Sequence, residues 1–138
     1  MKSPQGTRSG SKPLSIGLLS EADIQIQVVE YVSLLAAQCG FIFWSTPNEG
    51  TDRANPARLA KLKRMGLRPG VADLVFIKDG RAYFLEMKKP GGNQSDNQID
   101  FQLDCAIVKA QYAVTWSFEE AVKILQSWGI IPLTDYRM

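Results

Sequence analysis

Two carboxylates lie on either side of a segment whose turn chemistry predicts a β-hairpin. Asp79-Gly80 is a strong signal for a two-residue turn between two strand-like stretches. Counting outward from this turn places Asp73 directly opposite Glu86, so that the two side chains share one face with Cβ atoms roughly 4.5–5.5 Å apart. Two acids at that separation repel each other, and a divalent cation between them removes the conflict.

Lys88 lies two residues beyond Glu86 and therefore projects from the same face of the predicted strand. Charged groups buried in a sheet are costly unless they are paired or bind a metal. The pattern favours a functional centre formed by Asp73, Glu86 and Lys88, and the alternative is a salt bridge at the strand end. Burial is expected because the surrounding residues are apolar on both faces: Leu74, Val75, Phe76, Ile77, Phe84 and Leu85.

Glu21 is a further carboxylate that can join this centre. It shares the core-facing stripe of the predicted first helix with Ile24 and Val28, whereas Glu30 falls on the opposite side. An inward carboxylate at a helix start can reach a metal at a sheet edge. The alternative is a favourable interaction of Glu21 with the helix dipole.

The predicted third helix carries polar residues at one-turn spacing. Gln98 and Gln102 follow the lysine closely, and either amide can orient Lys88 or a phosphate; the alternative is a solvated helix surface. Three aspartates also recur at one-turn spacing and are interpreted as a solvent-exposed stripe: Asp96, Asp100 and Asp104.

The chain contains no histidine. This excludes Ser-His-Asp triads, Cys-His pairs, histidine-based nucleases and most zinc sites. Catalysis must then come from carboxylates, lysine, amides, hydroxyls or thiols, and carboxylates with a hard cation such as Mg²⁺ are the natural candidates. Cys39 and Cys105 lie far apart in apolar contexts and are interpreted as reduced core residues.

The net charge of +2 is unevenly distributed along the chain. Residues 1–15 hold three cations and no acid, and residues 53–68 hold six cations and no acid. Local basic clusters of this kind favour a polyanionic partner, with a solvated charged helix as the alternative. The expected nucleic-acid contacts are Arg53, Arg58, Lys61, Lys63, Arg64 and Arg68.

The sequence predicts an α/β fold in which a mixed sheet is flanked by helices, in the order αβαββαβα. Residues 1–15, rich in Ser, Gly and Pro, predict a flexible basic arm, and residues 16–138 predict a single domain. The predicted elements are a helix from Ser20 to about Gln38, a short buried strand at Phe41-Ile42-Phe43-Trp44, a basic helix at 56–65, hairpin strands at 71–78 and 81–88, a helix from Ser95 to about Lys109, a strand at 112–116, and a helix with a Ser117–Glu120 capping box that ends near Trp128-Gly129.

The run Gly70-Val71-Ala72-Asp73, followed by Glu86-Met87-Lys88, resembles the signature of PD-(D/E)XK nucleases. Over roughly residues 18–128 the chain is similar to the VRR-NUC family, the virus-type replication-repair nucleases. Ala72 stands where that family usually has proline, which presets the backbone and contributes no chemistry. The other matching features are Ser20-Glu21 with Gln25, Pro47-Asn48, Gly66 with Pro69, and Ser95 with Gln98.

This resemblance implies a restriction-endonuclease-like fold and Mg²⁺- or Mn²⁺-dependent hydrolysis of DNA phosphodiester bonds. It also implies a homodimer that acts on branched or Holliday-junction-like DNA. By position, Asp73, Glu86 and the Met87 carbonyl would bind metal, Glu21 would complete the site, Lys88 would assist the attacking water, and Gln98 would support the site.

Three other functions remain open from the sequence: a non-catalytic DNA-binding module, a metal-dependent nuclease acting on RNA, and an interaction subunit that has lost activity. The first of these leaves Asp73 and Glu86 unexplained.

No apolar stretch approaches the roughly 18 residues of a membrane span, and the N-terminus lacks the apolar run of a signal peptide. We therefore expect a cytoplasmic protein of bacterial or viral type with no membrane partner. The first helix and residues 130–133 are candidate dimer surfaces.

Overall fold

The computed structural model describes residues 19–47 and 55–133. The predicted N-terminal arm, Asn48 and Arg53 lie outside the described residues. Within these residues the predicted α/β class is confirmed: four helices accompany a four-stranded mixed sheet whose strands lie side by side in chain order. The elements, in chain order, are α1 (Glu21–Cys39), β1 (Ile42–Ser45), α2 (Pro56–Arg64), β2 (Leu74–Lys78), β3 (Arg81–Met87), α3 (Asp96–Ile107), β4 (Gln111–Thr115) and α4 (Phe118–Ser127).

The chain divides into two compact units, and the described part of the first consists of residues 19–40, 87–93 and 114–133. In this unit α1 packs against α4, and the rings of Tyr31 and Phe118 meet edge to face at 5.5 Å. The prediction that residues 130–133 form a dimer surface is wrong for Ile130 and Ile131. Ile130 and Ile131 are buried, because the chain turns back after α4 and packs them into the core.

The second unit contains residues 41–86 and 94–113, and its centre is the β2–β3 hairpin. The predicted turn and register are confirmed: Asp79 and Gly80 have φ angles of 52° and 76°, Lys78 pairs with Arg81, and the ladder continues to Leu74 opposite Leu85. Positive φ at both central residues is what a type I′ turn requires.

The strand β1 is an edge strand rather than the buried strand that the sequence predicts. It pairs with β2, and no second neighbour is seen among the described residues. Phe43 packs on the ring of Phe76 at 5.7 Å, whereas Ile42 and Trp44 point to the other side and are exposed. Four apolar residues in a row do not distinguish a strand covered on both faces from one covered on a single face.

Capping residues set the ends of α1 and α4, and the sequence predicts most of these caps. Ser20 caps α1, and Gly40 ends it in the left-handed conformation. Ser117 caps α4 as predicted, but the reciprocal half of its capping box is wrong, because Glu120 accepts a hydrogen bond from the backbone of Trp116 instead. No helix in the described part of the chain is long and apolar enough to cross a membrane.

Gly70 brings the segment before Asp73 against the start of α3. Its φ is +86°, and a Cβ atom built there would lie 2.5 Å from backbone atoms of Asn97. A backbone atom cannot yield to such a contact as a flexible side chain can. The motif that precedes Asp73 therefore needs glycine for close packing as well as for its φ angle.

Gly70→Ala is expected to destabilise the protein by at least about 3 kcal/mol, since left-handed strain and a backbone clash add together. Gly66→Ala is the matched control, because Gly66 also has a positive φ, of 107°, but open space around the added Cβ. The control is expected to lose only about 1–2 kcal/mol. Thermal melting of both variants measures the difference, and equal losses would contradict the close approach to Asn97.

Candidate active site

Asp73 and Glu86 lie at the open end of the hairpin. The last ladder pair is Leu74 with Leu85, and one further step of the same register reaches the two acids. The backbone carbonyl of Asp73 accepts a hydrogen bond of 2.9 Å from the N–H of Thr46, which continues β1 alongside it. Strand alternation therefore places the acids on the face that also carries Val75 and Phe84. Asp73 is half-buried and Glu86 is fully buried.

Gln98 holds the buried carboxylate from the first turn of α3. Its Nε2 donates to Glu86 Oε2 at 2.6 Å, while its Oε1 accepts from the backbone N–H of Ser95 at 2.8 Å. The same side chain thus completes the capping box of α3 and orients Glu86. Because both ends of the amide are engaged, the direction of its donor is set by the helix start. The structure therefore brings Gln98 into contact with Glu86, and its supporting role stays a prediction.

Tyr112, which the sequence does not single out, is close enough to the acids to feel their charge, and it is hydrogen-bonded to Gln94. Gln94 Nε2 donates to the Tyr112 hydroxyl at 3.1 Å and to Gln102 Oε1 at 3.0 Å. Burial raises the pKa of Tyr112, and the carboxylates of Glu86 and Asp73 raise this pKa further. The hydroxyl therefore stays protonated at neutral pH. A tyrosine in a short strand carries no sequence signal of such a contact.

An apolar cluster lies beside the acids in the second unit. Phe101 of α3 meets Phe84 edge to face at 5.1 Å, and it meets Tyr112 at 5.8 Å. Cys105 is buried in the same cluster, and burial raises the pKa of its thiol, in keeping with the predicted core role. The cluster includes Phe84, which shares a sheet face with the acids by strand alternation, so apolar side chains cover part of that face.

Lys88 and Glu21 meet within the first unit. Lys88 Nζ lies 3.8 Å from Glu21 Oε2, and the backbone N–H of Lys88 donates to the Thr115 carbonyl at 2.9 Å. The lysine side chain is only 9% exposed and the glutamate side chain 44% exposed. Glu21, predicted as a metal ligand, is placed as the ion-pair partner of Lys88, which offsets part of the cost of burying that amine.

Among the residues that the structure describes, no group of three or more acidic or cysteine side chains is arranged to hold a metal ion. The oxygen atoms of Asp73 and Glu86 are nevertheless the donor type that a hard cation prefers. Met87, whose carbonyl the resemblance assigns to the metal, is buried at the end of β3.

The predicted nucleic-acid contacts divide into two groups. Arg68 has intramolecular partners: its Nη2 lies 2.6 Å from Asp104 Oδ2, and its guanidinium group stacks over the ring of Phe101 at 5.1 Å. Asp104, interpreted from the sequence as part of a solvent-exposed stripe, therefore also forms an ion pair. The other described members of the cluster are exposed on α2: Arg58, Lys61, Lys63 and Arg64.

No family model matches the chain, and comparisons with curated proteins and with solved structures likewise gave no match. The VRR-NUC resemblance accordingly stays a prediction from the motif residues.

Proposed function

We propose that this protein is a Mg²⁺- or Mn²⁺-dependent endonuclease of the VRR-NUC type, with a restriction-endonuclease-like fold, that hydrolyses phosphodiester bonds in DNA. The observation that supports the proposal best is the hairpin register, which runs to Leu74 opposite Leu85 and, extended by one step, would set Asp73 opposite Glu86. A fully buried glutamate beside a second acid has little structural value without a cation, because the two negative charges repel each other.

The available donors fit a hard divalent cation. Asp73 and Glu86 supply carboxylate oxygens, and we propose that the Met87 carbonyl and water complete the coordination, which is common for Mg²⁺. When bound, the ion polarises the scissile phosphate and lowers the pKa of a bound water. Gln98 donates to Glu86 Oε2, which holds the carboxylate in one orientation.

We assign Lys88 the role of stabilising negative charge that develops at the phosphate. Lys88 follows Glu86 by two residues, so strand alternation is the basis for including both in one proposed centre. Its ammonium group lies 3.8 Å from Glu21 Oε2, and burial of the side chain, which is only 9% exposed, limits where the donor points. A preorganised charge in a poorly solvated position stabilises a transition state more than a mobile surface lysine does.

We propose that the exposed cations of α2 contact phosphates on either side of the cleaved bond, whatever the base sequence of the DNA. The logarithm of the DNA-binding constant falls linearly with the logarithm of the salt concentration, with a slope of about −0.9 for each phosphate contact. The double variant Lys61→Ser, Lys63→Ser is expected to lose two such contacts, so its slope should be less negative by about 1.8. Fluorescence anisotropy with duplex DNA between low and moderate salt measures this slope. Lys123→Ser, an exposed lysine of α4, is the control. An unchanged slope in the double variant would remove α2 from the interface.

A cleavage panel tests the function directly. Purified protein is incubated with Mg²⁺, Mn²⁺ or a chelator and with labelled duplex, flap, splayed-arm, four-way junction and single-stranded DNA, each with a matched RNA. We expect metal-dependent cleavage of branched DNA. Binding without cleavage would favour a non-catalytic DNA-binding module, and cleavage of RNA alone would favour an RNA nuclease. Light scattering tests the proposed homodimer, which a four-way junction requires because it presents two symmetric cuts.

A further inference from the structure

Trp44 leaves a large aromatic surface in contact with water. Trp44 is 45% exposed, and Ile42, on the same face of β1, is 62% exposed. Phe43 between them is packed on the opposite face against Phe76, so the strand is ordered and its uncovered face is apolar. Exposed apolar residues that adjoin on one strand face mark a binding site more often than a single scattered apolar residue does.

The exposed indole shares a sheet face with the two acids. Trp44 pairs with Val75, and Val75 pairs with Phe84, which places these three residues in one row across the sheet. Asp73 and Glu86 occupy the next row, two residues further along their strands. From strand spacing and rise, the Cα atoms of Trp44 and Asp73 are about 8 Å apart, a distance on the order of one extended nucleotide.

We propose that Trp44 is a stacking platform for an unpaired nucleobase next to the scissile phosphate. An indole presents a flat π-face, which stacks on any base once that base has left a duplex. Bases inside a duplex are already stacked and cannot offer a free face. The substrate therefore carries unpaired nucleotides at the cut, as in a flap, a tail or the branch point of a junction.

Charge in the same unit favours nucleic acid over a protein or lipid occupant. The exposed cations of α2 face no acidic residue of their own segment, since residues 55–72 contain none. These cations attract phosphates, while the apolar edge at Ile42 and Trp44 suits bases; a groove for single-stranded nucleic acid combines these two features. The placement of the scissile phosphate rests on the proposed function, whereas the binding of an unpaired base does not.

Metal-free binding tests this inference. Fluorescence anisotropy in chelator compares three labelled DNAs: a blunt duplex, the same duplex with a single-stranded tail, and the tailed duplex with abasic sites in the tail. Wild-type protein is expected to bind the tailed duplex most tightly. Trp44→Ala is expected to weaken that binding by roughly five- to a hundred-fold and to leave the blunt and abasic ligands unaffected.

Two further substitutions separate stacking from mere apolar contact. Trp44→Phe keeps an aromatic face and should retain most of the preference, whereas Trp44→Leu keeps apolar bulk without a π-face and should lose it. Leu34→Ala, at an exposed apolar residue of α1, is the control. Thermal melting checks that each variant is folded, and the Phe and Leu variants keep the comparison valid if the Ala variant does not fold.

The inference is overturned if wild-type protein does not prefer the unpaired tail, if Trp44→Leu binds the tail as wild type does, or if Trp44 variants alter only the oligomeric state. Because no cleavage is involved, the two proposals fail separately. Trp44-dependent binding by a protein that never cleaves would keep the stacking site and remove the nuclease. Metal-dependent cleavage by a protein whose binding does not depend on Trp44 would keep the nuclease and remove the stacking site.

Discussion

Asp73→Asn is expected to reduce metal-dependent cleavage by about a thousand-fold or more while the protein stays folded. The substitution keeps the size of the side chain but removes one of the two charges proposed to hold the cation. A bound metal contributes several kcal/mol to a hydrolytic transition state, and each 1.36 kcal/mol is a tenfold change in rate. Initial rates on the best substrate from the cleavage panel measure the effect.

Metal-dependent stabilisation gives a second readout for Asp73→Asn that needs no substrate. A ligand that binds only the folded state raises the melting temperature with its concentration. Mg²⁺ is expected to raise the melting temperature of wild-type protein and to leave that of the variant unchanged. Without metal the variant should be at least as stable as wild type, because repulsion from Glu86 is reduced.

Asp79→Asn is the matched control for this prediction, since it makes the same change in the exposed hairpin turn, where asparagine also tolerates a positive φ. It should cleave and respond to Mg²⁺ as wild type does. If Asp73→Asn retained the wild-type rate and the wild-type Mg²⁺ response, the metal centre proposed at the end of the hairpin would be wrong.

Lys88→Met is expected to lower cleavage by about a hundred- to a thousand-fold without loss of stability. The ammonium group is proposed to stabilise charge developing at the phosphate, and removal of one such donor typically has an effect of this size. The fold should tolerate the change, because methionine fills the buried space and Glu21, with 44% of its side chain exposed, can be solvated instead of paired. With Mg²⁺ present, where the proposed cation balances the buried charge of Glu86, the melting temperature is expected to stay close to that of wild type.

The adjacent lysine provides the control for this second prediction. Lys89 is exposed and follows Lys88 directly, so Lys89→Met makes the same change in composition and net charge away from the buried position. Its cleavage rate should remain near that of wild type. Equal effects of the two substitutions would show that only overall charge matters, and a folded Lys88→Met protein with full activity would exclude the amine from the mechanism.

The sequence determined the local elements of this protein and the register of its hairpin. Asp79-Gly80 predicts a two-residue turn, and that turn dictates every pair up to Leu74 and Leu85. Ser20 and Gly40 delimit α1 as expected. These features follow from sequence because each depends on a few neighbouring residues: φ preferences, caps and alternation along one strand.

Only the tertiary structure decided which distant side chains meet and which apolar residues are covered. The contact of Gln98 with Glu86 requires α3 to pack beside the hairpin, and the pairing of Arg68 with Asp104 joins residues 36 positions apart. Ile130 and Ile131 are buried, whereas Trp44, in an equally apolar run, is not. Burial depends on what the rest of the chain places over a residue, and neither periodicity nor composition at one position records that.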